Sequence, residues 1–187
     1  MTIRILRADG HRRMPWKNGR GETVEIAVFP EGAGLDAFAW RISMAGVAED
    51  GEFSIFPGID RTLAVLSGAG IELQVQKHGL HRLTPDDPPL AFPADIPSSA
   101  RLIDGPITDL NVMTRRGVHA HRMIRSDDTA TAPCDLRLVL ATERLSLRAG
   151  GKDFDLAPLD ALICDGPDAV LPPEPVAGGW MIEIRRV

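Results

Sequence analysis

The stretch Ile71-Glu-Leu-Gln-Val-Gln76 sets apolar side chains against polar ones with a period of two. Only a strand with one buried face satisfies that pattern. The same alternation returns in Thr2–Leu6 and in 23–29 and 40–44, and 61–66 is a short apolar run. Further strand candidates are 100–103, 109–113, 121–124, 136–140, 144–147, 154–156, 161–163 and 180–184. Turn residues separate these runs at roughly the 8–12-residue spacing of a sandwich or barrel. The 18 glycines and 15 prolines of the 187 residues are spread along the chain, so they mark many turns rather than one unstructured tail. No long helical period is present, and 34–39 has room for a single turn. The fold class is all-β.

The pattern also repeats. Leu73 and Leu147 are 74 positions apart, and Pro85 and Pro158 are 73 apart. Around each pair runs the same order: strand, glycine turn, strand, x-Pro-x-Asp, strand. That order is what half of a cupin barrel looks like, so two stacked jelly-roll halves in one compact chain are expected. The polar stretch Ser126-Asp-Asp-Thr-Ala-Thr-Ala-Pro133 reads as the join. Residues 1–125 form the first half, which carries the charged constellation, and residues 126–187 the second and simpler one.

A net charge of -5 and a pI near 5.5 leave no basic footprint for nucleic acid. No apolar run reaches the ~20 residues of a membrane span. Met1-Thr-Ile-Arg-Ile-Leu-Arg7 lacks the apolar core of a leader, which points to the cytoplasm. Cys134 and Cys164 are too few for a disulfide framework and sit by apolar runs, so buried reduced thiols are expected. An all-β chain of this size has edges to protect, which leaves a homodimer by edge pairing open.

Chemistry has few places to sit. In Met14-Pro-Trp-Lys-Asn-Gly19, Pro15 forbids a helix and Asn18-Gly19 makes a turn. This loop holds Trp16, Lys17 and Asn18 together ahead of the 23–29 strand. It can hold a small anion, or Trp16 can cover the core while Lys17 is solvated. A cupin metal needs two alternate histidines, a glutamate and a later histidine, and Phe56 to Leu63 contains no histidine. His119-x-His121 shares a strand face but lacks a third ligand nearby. No nucleophile elbow or phosphate loop appears, and Gly68-Ala-Gly70 reads as a hairpin turn. The arginines remain. Arg41 and Ser43 share one strand face, and Asn111, Met113 and Arg115 share another. A barrel lined by Arg41, Arg61 and amides suits a carboxylate, because the guanidinium fork matches it. The alternative makes Arg41 and Arg61 struts to Asp60, Asp95 or Asp104.

Taken together, Met14 to Gly19, Trp40-Arg-Ile-Ser43, Gly51 to Leu63, Leu66 to Gly70 and Leu102 to Gly117 resemble the HutD/Ves family of cupin-like proteins. That family is often found with bacterial histidine-utilisation genes. The resemblance implies a bicupin without bound metal or other cofactor. It implies a role in restraining histidine catabolism through a pathway intermediate such as urocanate or formylglutamate. Both are small carboxylate metabolites, in keeping with the cationic pocket. The pocket carried over consists of Trp16, Lys17, Asn18, Arg41, Ser43, Phe53, Phe56, Arg61, Asn111 and Arg115. Trp16 and the two phenylalanines wall the ligand, while Lys17, Arg41 and Arg61 supply charge. A non-catalytic binder is the first expectation. A metal-independent isomerase or hydrolase of a small organic acid is the second, with Asp60, Asp95, Asp104 or Lys17 as acid or base. A structural protein with an empty barrel is the third.

Overall fold

The computed structural model describes residues 2–16, 21–128, 133–166 and 177–187. Its strands run in chain order as β1 (Thr2–Leu6), β2 (Arg12–Pro15), β3 (Gly21–Phe29), β4 (Trp40–Val47), β5 (Gly51–Glu52) and β6 (Ile59–Ser67). Next come β7 (Ile71–Val75), β8 (Gly79–Leu83), β9 (Leu90–Pro93), β10 (Ser98–Leu102) and β11 (Ile107–Arg115). The last are β12 (His119–Arg125), β13 (Leu136–Ala141), β14 (Leu145–Ala149), β15 (Lys152–Leu156), β16 (Ala161–Asp165) and β17 (Gly179–Arg186). The helical content of the described residues is one 3₁₀ turn, Ala8–Gly10. The all-β expectation holds.

The chain makes two compact units, Arg12–Val118 and a second that joins Met1–His11 to His119–Val187. In the first unit a six-stranded sheet, β2-β3-β4-β11-β6-β9, faces a four-stranded one, β5-β10-β7-β8. Leu63 and Val65 of β6 meet Leu73 and Val75 of β7 between them, each at most 2% exposed. Full burial of such a side chain contributes about 1.5–3 kcal/mol. The apolar members of the Ile71–Gln76 alternation are therefore the ones that build this core. In the second unit β1-β16-β13-β17-β12 form one sheet and β14-β15 the other. Val139, Leu162 and Met181 pack there on Leu145, Leu147 and Leu156.

The repeat seen in the sequence is present in both units. Hairpin β7–β8 pairs Ile71 with Leu83, and hairpin β14–β15 pairs Leu145 with Leu156. Each ends in the x-Pro-x-Asp turn, closed in the same way. The Thr84 N–H donates to Asp87 Oδ2 at 2.8 Å, and the Ala157 N–H to Asp160 Oδ2 at 3.0 Å. An aspartate three residues on satisfies a main-chain donor that the sheet cannot.

Two local readings need correction. Met14 and Pro15 are not loop but the end of β2, where Pro15 lies opposite Glu22. Proline is tolerated there because β2 is an edge strand and its missing donor faces no partner. Gly68-Ala-Gly70 is not a hairpin turn either. It carries the chain from β6 in one sheet to β7 in the other. Gly68 (φ 92°) and Gly70 (φ 111°) both adopt left-handed backbone. A Cβ at Gly68 would lie 2.5 Å from the Pro106 carbonyl oxygen, so the corner is closed too tightly for a side chain.

Candidate functional site

Opposed residues in an antiparallel pair share a face, so the register states which side chains meet. Across the six-stranded sheet Glu25 lies opposite Ser43, Ser43 opposite Asn111, and Met113 opposite both Arg41 and Arg61. Asp109 joins the same face opposite Ala45, and Phe92 does so opposite Arg61. A bulge at Ile26 shifts the β3–β4 register between Glu25 and Ala27. It lets Val28 turn toward this face beside Arg41 while Glu25 keeps its place three residues earlier. Seven polar or charged side chains thus stand on a face that is otherwise core: Thr23, Glu25, Arg41, Ser43, Arg61, Asp109 and Asn111.

Five of them form two connected groups. Arg41 Nε donates to Glu25 Oε2 at 2.7 Å, with both side chains under 10% exposed. Arg61 Nε donates to Asn111 Oδ1 at 2.8 Å, and Asn111 Nδ2 donates on to Asp109 Oδ1 at 2.6 Å. The Arg61 guanidinium carbon stands 4.5 Å from the centre of the Phe53 ring and 5.9 Å from that of Phe92. Burial lowers the Arg61 pKa to about 10; Asp109 pulls it back up, and Arg41 adds to the lowering. Burial likewise pushes the Asp109 carboxyl up to about 6. Arg61, the Asn111 amide and the Ala45 main chain offset that only in part. Each guanidinium gives its Nε to a protein acceptor. Its Nη nitrogens make no hydrogen bond to a described residue.

Those groups line a cavity of about 570 Å³. Arg41, Ser43, Arg61, Asn111, Thr23 and Ser54 give its polar part, with the Glu52 carboxylate at the rim, and Met14, Trp16, Leu35, Phe53, Phe56 and Met113 are prominent in its apolar part. Trp16 is fixed at the rim by its indole N–H, which donates to Thr23 Oγ1 at 2.9 Å, and by its main-chain N–H to the Gly21 carbonyl. Gly21 is needed there, since a Cβ would run into the Gly46 carbonyl oxygen and also crowd the Trp16 ring at 3.0 Å. The cavity has the size and mixed lining of a small-molecule site.

Seven of the ten residues named from the sequence meet at this cavity: Trp16, Arg41, Ser43, Phe53, Phe56, Arg61 and Asn111. Lys17 and Asn18 lie outside the described residues. Arg115 goes elsewhere, and its guanidinium donates to the carbonyls of Phe38 and Asp36. It fastens the 30–39 loop to the end of β11. The strut alternative also finds its partners changed. Arg41 pairs with Glu25, whereas Asp60 and Asp95 both pair with Arg116, at 2.7 and 2.9 Å. The Arg116 hydrogen bond holds the Asp95 carboxyl below its usual range. Asp104 is exposed in the turn between β10 and β11. Glu25 and Asp109 are the interior charges that the sequence reading missed. Both sat in the alternation, at the in-facing phase of β3 and β11.

Elsewhere, no three His, Cys, Asp or Glu side chains among the described residues group as a metal would require. His119 and His121 both lie on β12, His119 buried and His121 partly exposed. Cys134 and Cys164 are free and buried, as expected. Burial raises both thiols, Cys164 to about 11. Among the described residues no helix is long and apolar enough to cross a membrane.

The HutD family model matches residues 8–177. A 21.2 kDa protein in the hutC 3′ region of Pseudomonas putida is 34% identical over 173 residues, covering 90% of each chain. Protein Ves of Citrobacter koseri is 43% identical over 109 residues, covering 56% of each. The solved structure of HutD from Pseudomonas fluorescens SBW25 superposes with a TM-score of 0.82 at 36% identity over the whole of both chains.

Proposed function

The chain belongs to the HutD family, an all-β, cupin-like family associated with histidine utilisation, and on that premise we propose that it binds a small carboxylate of that pathway in the cavity of residues 12–118. One observation carries this reading: two buried arginines line one cavity with their Nη donors unengaged by the described residues. Donors that open onto a cavity can take an acceptor from a ligand, and a carboxylate offers two oxygens in the geometry of the fork. Trp16, Phe53 and Phe56 give the rest of the ligand flat apolar walls. Urocanate and formylglutamate both fit this description. The protein acts in the cytoplasm and restrains histidine breakdown by sensing one of them.

Catalysis is the weaker reading. An acid or base must reach the substrate, yet Asp60 and Asp95 are engaged by Arg116 and Asp109 stands behind Asn111. The test is thermal unfolding with urocanate and with formylglutamate, with and without chelator. A ligand at ~100 Kd stabilises by about 2.7 kcal/mol. The expected result is a chelator-independent rise in melting temperature with one of them and no product. No rise with either at millimolar concentration overturns the assignment.

A further inference from the structure

The interior charges of the first unit do not balance in a simple way. Arg41 is matched by Glu25. Arg61 has no carboxylate in direct contact and reaches Asp109 only through Asn111. Asp109 is fully buried, and its Oδ2 is sealed from solvent with no hydrogen-bond partner. An ionised carboxylate with a bare oxygen in such a place is costly, whereas a protonated one is not.

Two charge states follow. With Asp109 ionised the two arginines face two carboxylates, Glu25 and Asp109, and an incoming anion makes the interior net negative. With Asp109 protonated the interior holds one excess positive charge, which one negative charge neutralises. A second negative charge on the ligand would again be unmatched.

Resting on the carboxylate-binding reading above, we propose that Asp109 sets the ligand class of this site: the cavity takes a singly charged carboxylate, and it does so together with a proton that moves from solvent buffer to the Asp109 carboxyl. Asp109 does not line the cavity, so it acts through Asn111 and Arg61 as a positioning and charge-setting residue. The charged groups around it are Arg61 on β6, Arg41 on β4 and Glu25 on β3; at the exposed rim Arg12 of β2, 3.9 Å from Glu25, and Glu52 of β5 offset each other. Arg61, lowered only to about 10, keeps its charge in the working range. The pKa of Asp109, near 6 in the empty protein, makes it the group that changes state on binding near neutrality. Proton uptake then makes affinity fall with pH, by roughly 20-fold between pH 5.5 and pH 7.5.

The experiment is isothermal titration calorimetry at pH 7 in two buffers of different ionisation enthalpy. The probe is cinnamate, which carries an acrylate like urocanate but has no titratable ring nitrogen. Urocanate is run beside it, and formylglutamate serves as the doubly charged competitor. The expected result is uptake approaching one proton in the wild type, no uptake in Asp109→Asn, and weaker binding of formylglutamate than of the monoanions. Should Asp109→Asn fail to fold, the pH dependence of the wild-type Kd for cinnamate decides. A 20-fold weakening supports the proposal, and a flat profile overturns it. Binding without proton uptake, or tighter binding of formylglutamate, overturns the role of Asp109 and leaves the carboxylate site standing. Failure of all three probes to bind overturns the site, and the proposal with it.

Discussion

Replacing Asp109 by asparagine should change how stability responds to pH, with no ligand present. The native carboxyl is raised from its ordinary 3.8 to about 6 because it is buried. In the native state it therefore holds a proton over a range in which the unfolded chain has lost it. Stability falls with pH wherever the native state binds more protons. The contribution is complete below pH ~3.8 and is lost as pH rises through ~6. A two-unit difference is worth about 3 kcal/mol in full, of which about 2 kcal/mol is lost between pH 4 and pH 8. The amide introduced by Asp109→Asn keeps an acceptor for the Asn111 side chain and carries no charge, so the variant should lack this loss. Urea unfolding of both proteins at pH 4, 6 and 8 measures it. With a slope near 2 kcal/mol/M, the gap between the two midpoints should move by roughly 1 M in favour of the variant across the range. A constant gap at all three pH values would mean that Asp109 titrates normally, and the charge argument for the cavity would fail.

Three other substitutions follow from the same contacts. Arg61→Lys keeps a cation but loses the fork and the Nε bond to Asn111; carboxylate affinity should fall ~10- to 100-fold in the thermal-shift titration, with unfolding easier by about 1–3 kcal/mol. Asp160→Ala removes the acceptor shared by the Ala8 and Ala157 N–H groups and by Arg7. It should cost about 1–3 kcal/mol in chemical denaturation while leaving ligand affinity unchanged. Gly68→Ala drives a Cβ against the Pro106 carbonyl at positive φ and should destabilise by more than ~1 kcal/mol in the same assay.

Much of this protein is legible locally. The alternation of Ile71 to Gln76 fixes which of its side chains enter the core, and Leu73 and Val75 are indeed fully buried. The x-Pro-x-Asp turns repeat because Asp87 and Asp160 do the same work on the nearest main-chain donor. The strand phase also places Arg41, Ser43, Arg61 and Asn111 on an inward face. What remained hidden depends on register. Arg41 meets Glu25 across 16 residues, and Arg61 meets Asn111 across 50. Nothing in either strand alone says which acid faces which arginine. Arg115 shows the limit of parity: it shares the phase of Asn111, but at the end of β11 its long side chain swings to the Phe38 carbonyl. The pairing of β1 with β16 is equally invisible, because it joins Thr2 to Asp165 and no local pattern records that contact.

The central claim is that Arg61 and Arg41 hold a ligand carboxylate inside the first unit. A crystal structure of the protein with urocanate tests it most directly. Density is expected in the cavity, with the carboxylate oxygens about 2.7–3.0 Å from the Nη atoms of Arg61 or Arg41 and the ring between Trp16 and Phe53. Urocanate bound elsewhere, or bound here with its carboxylate turned away from both arginines, would contradict it.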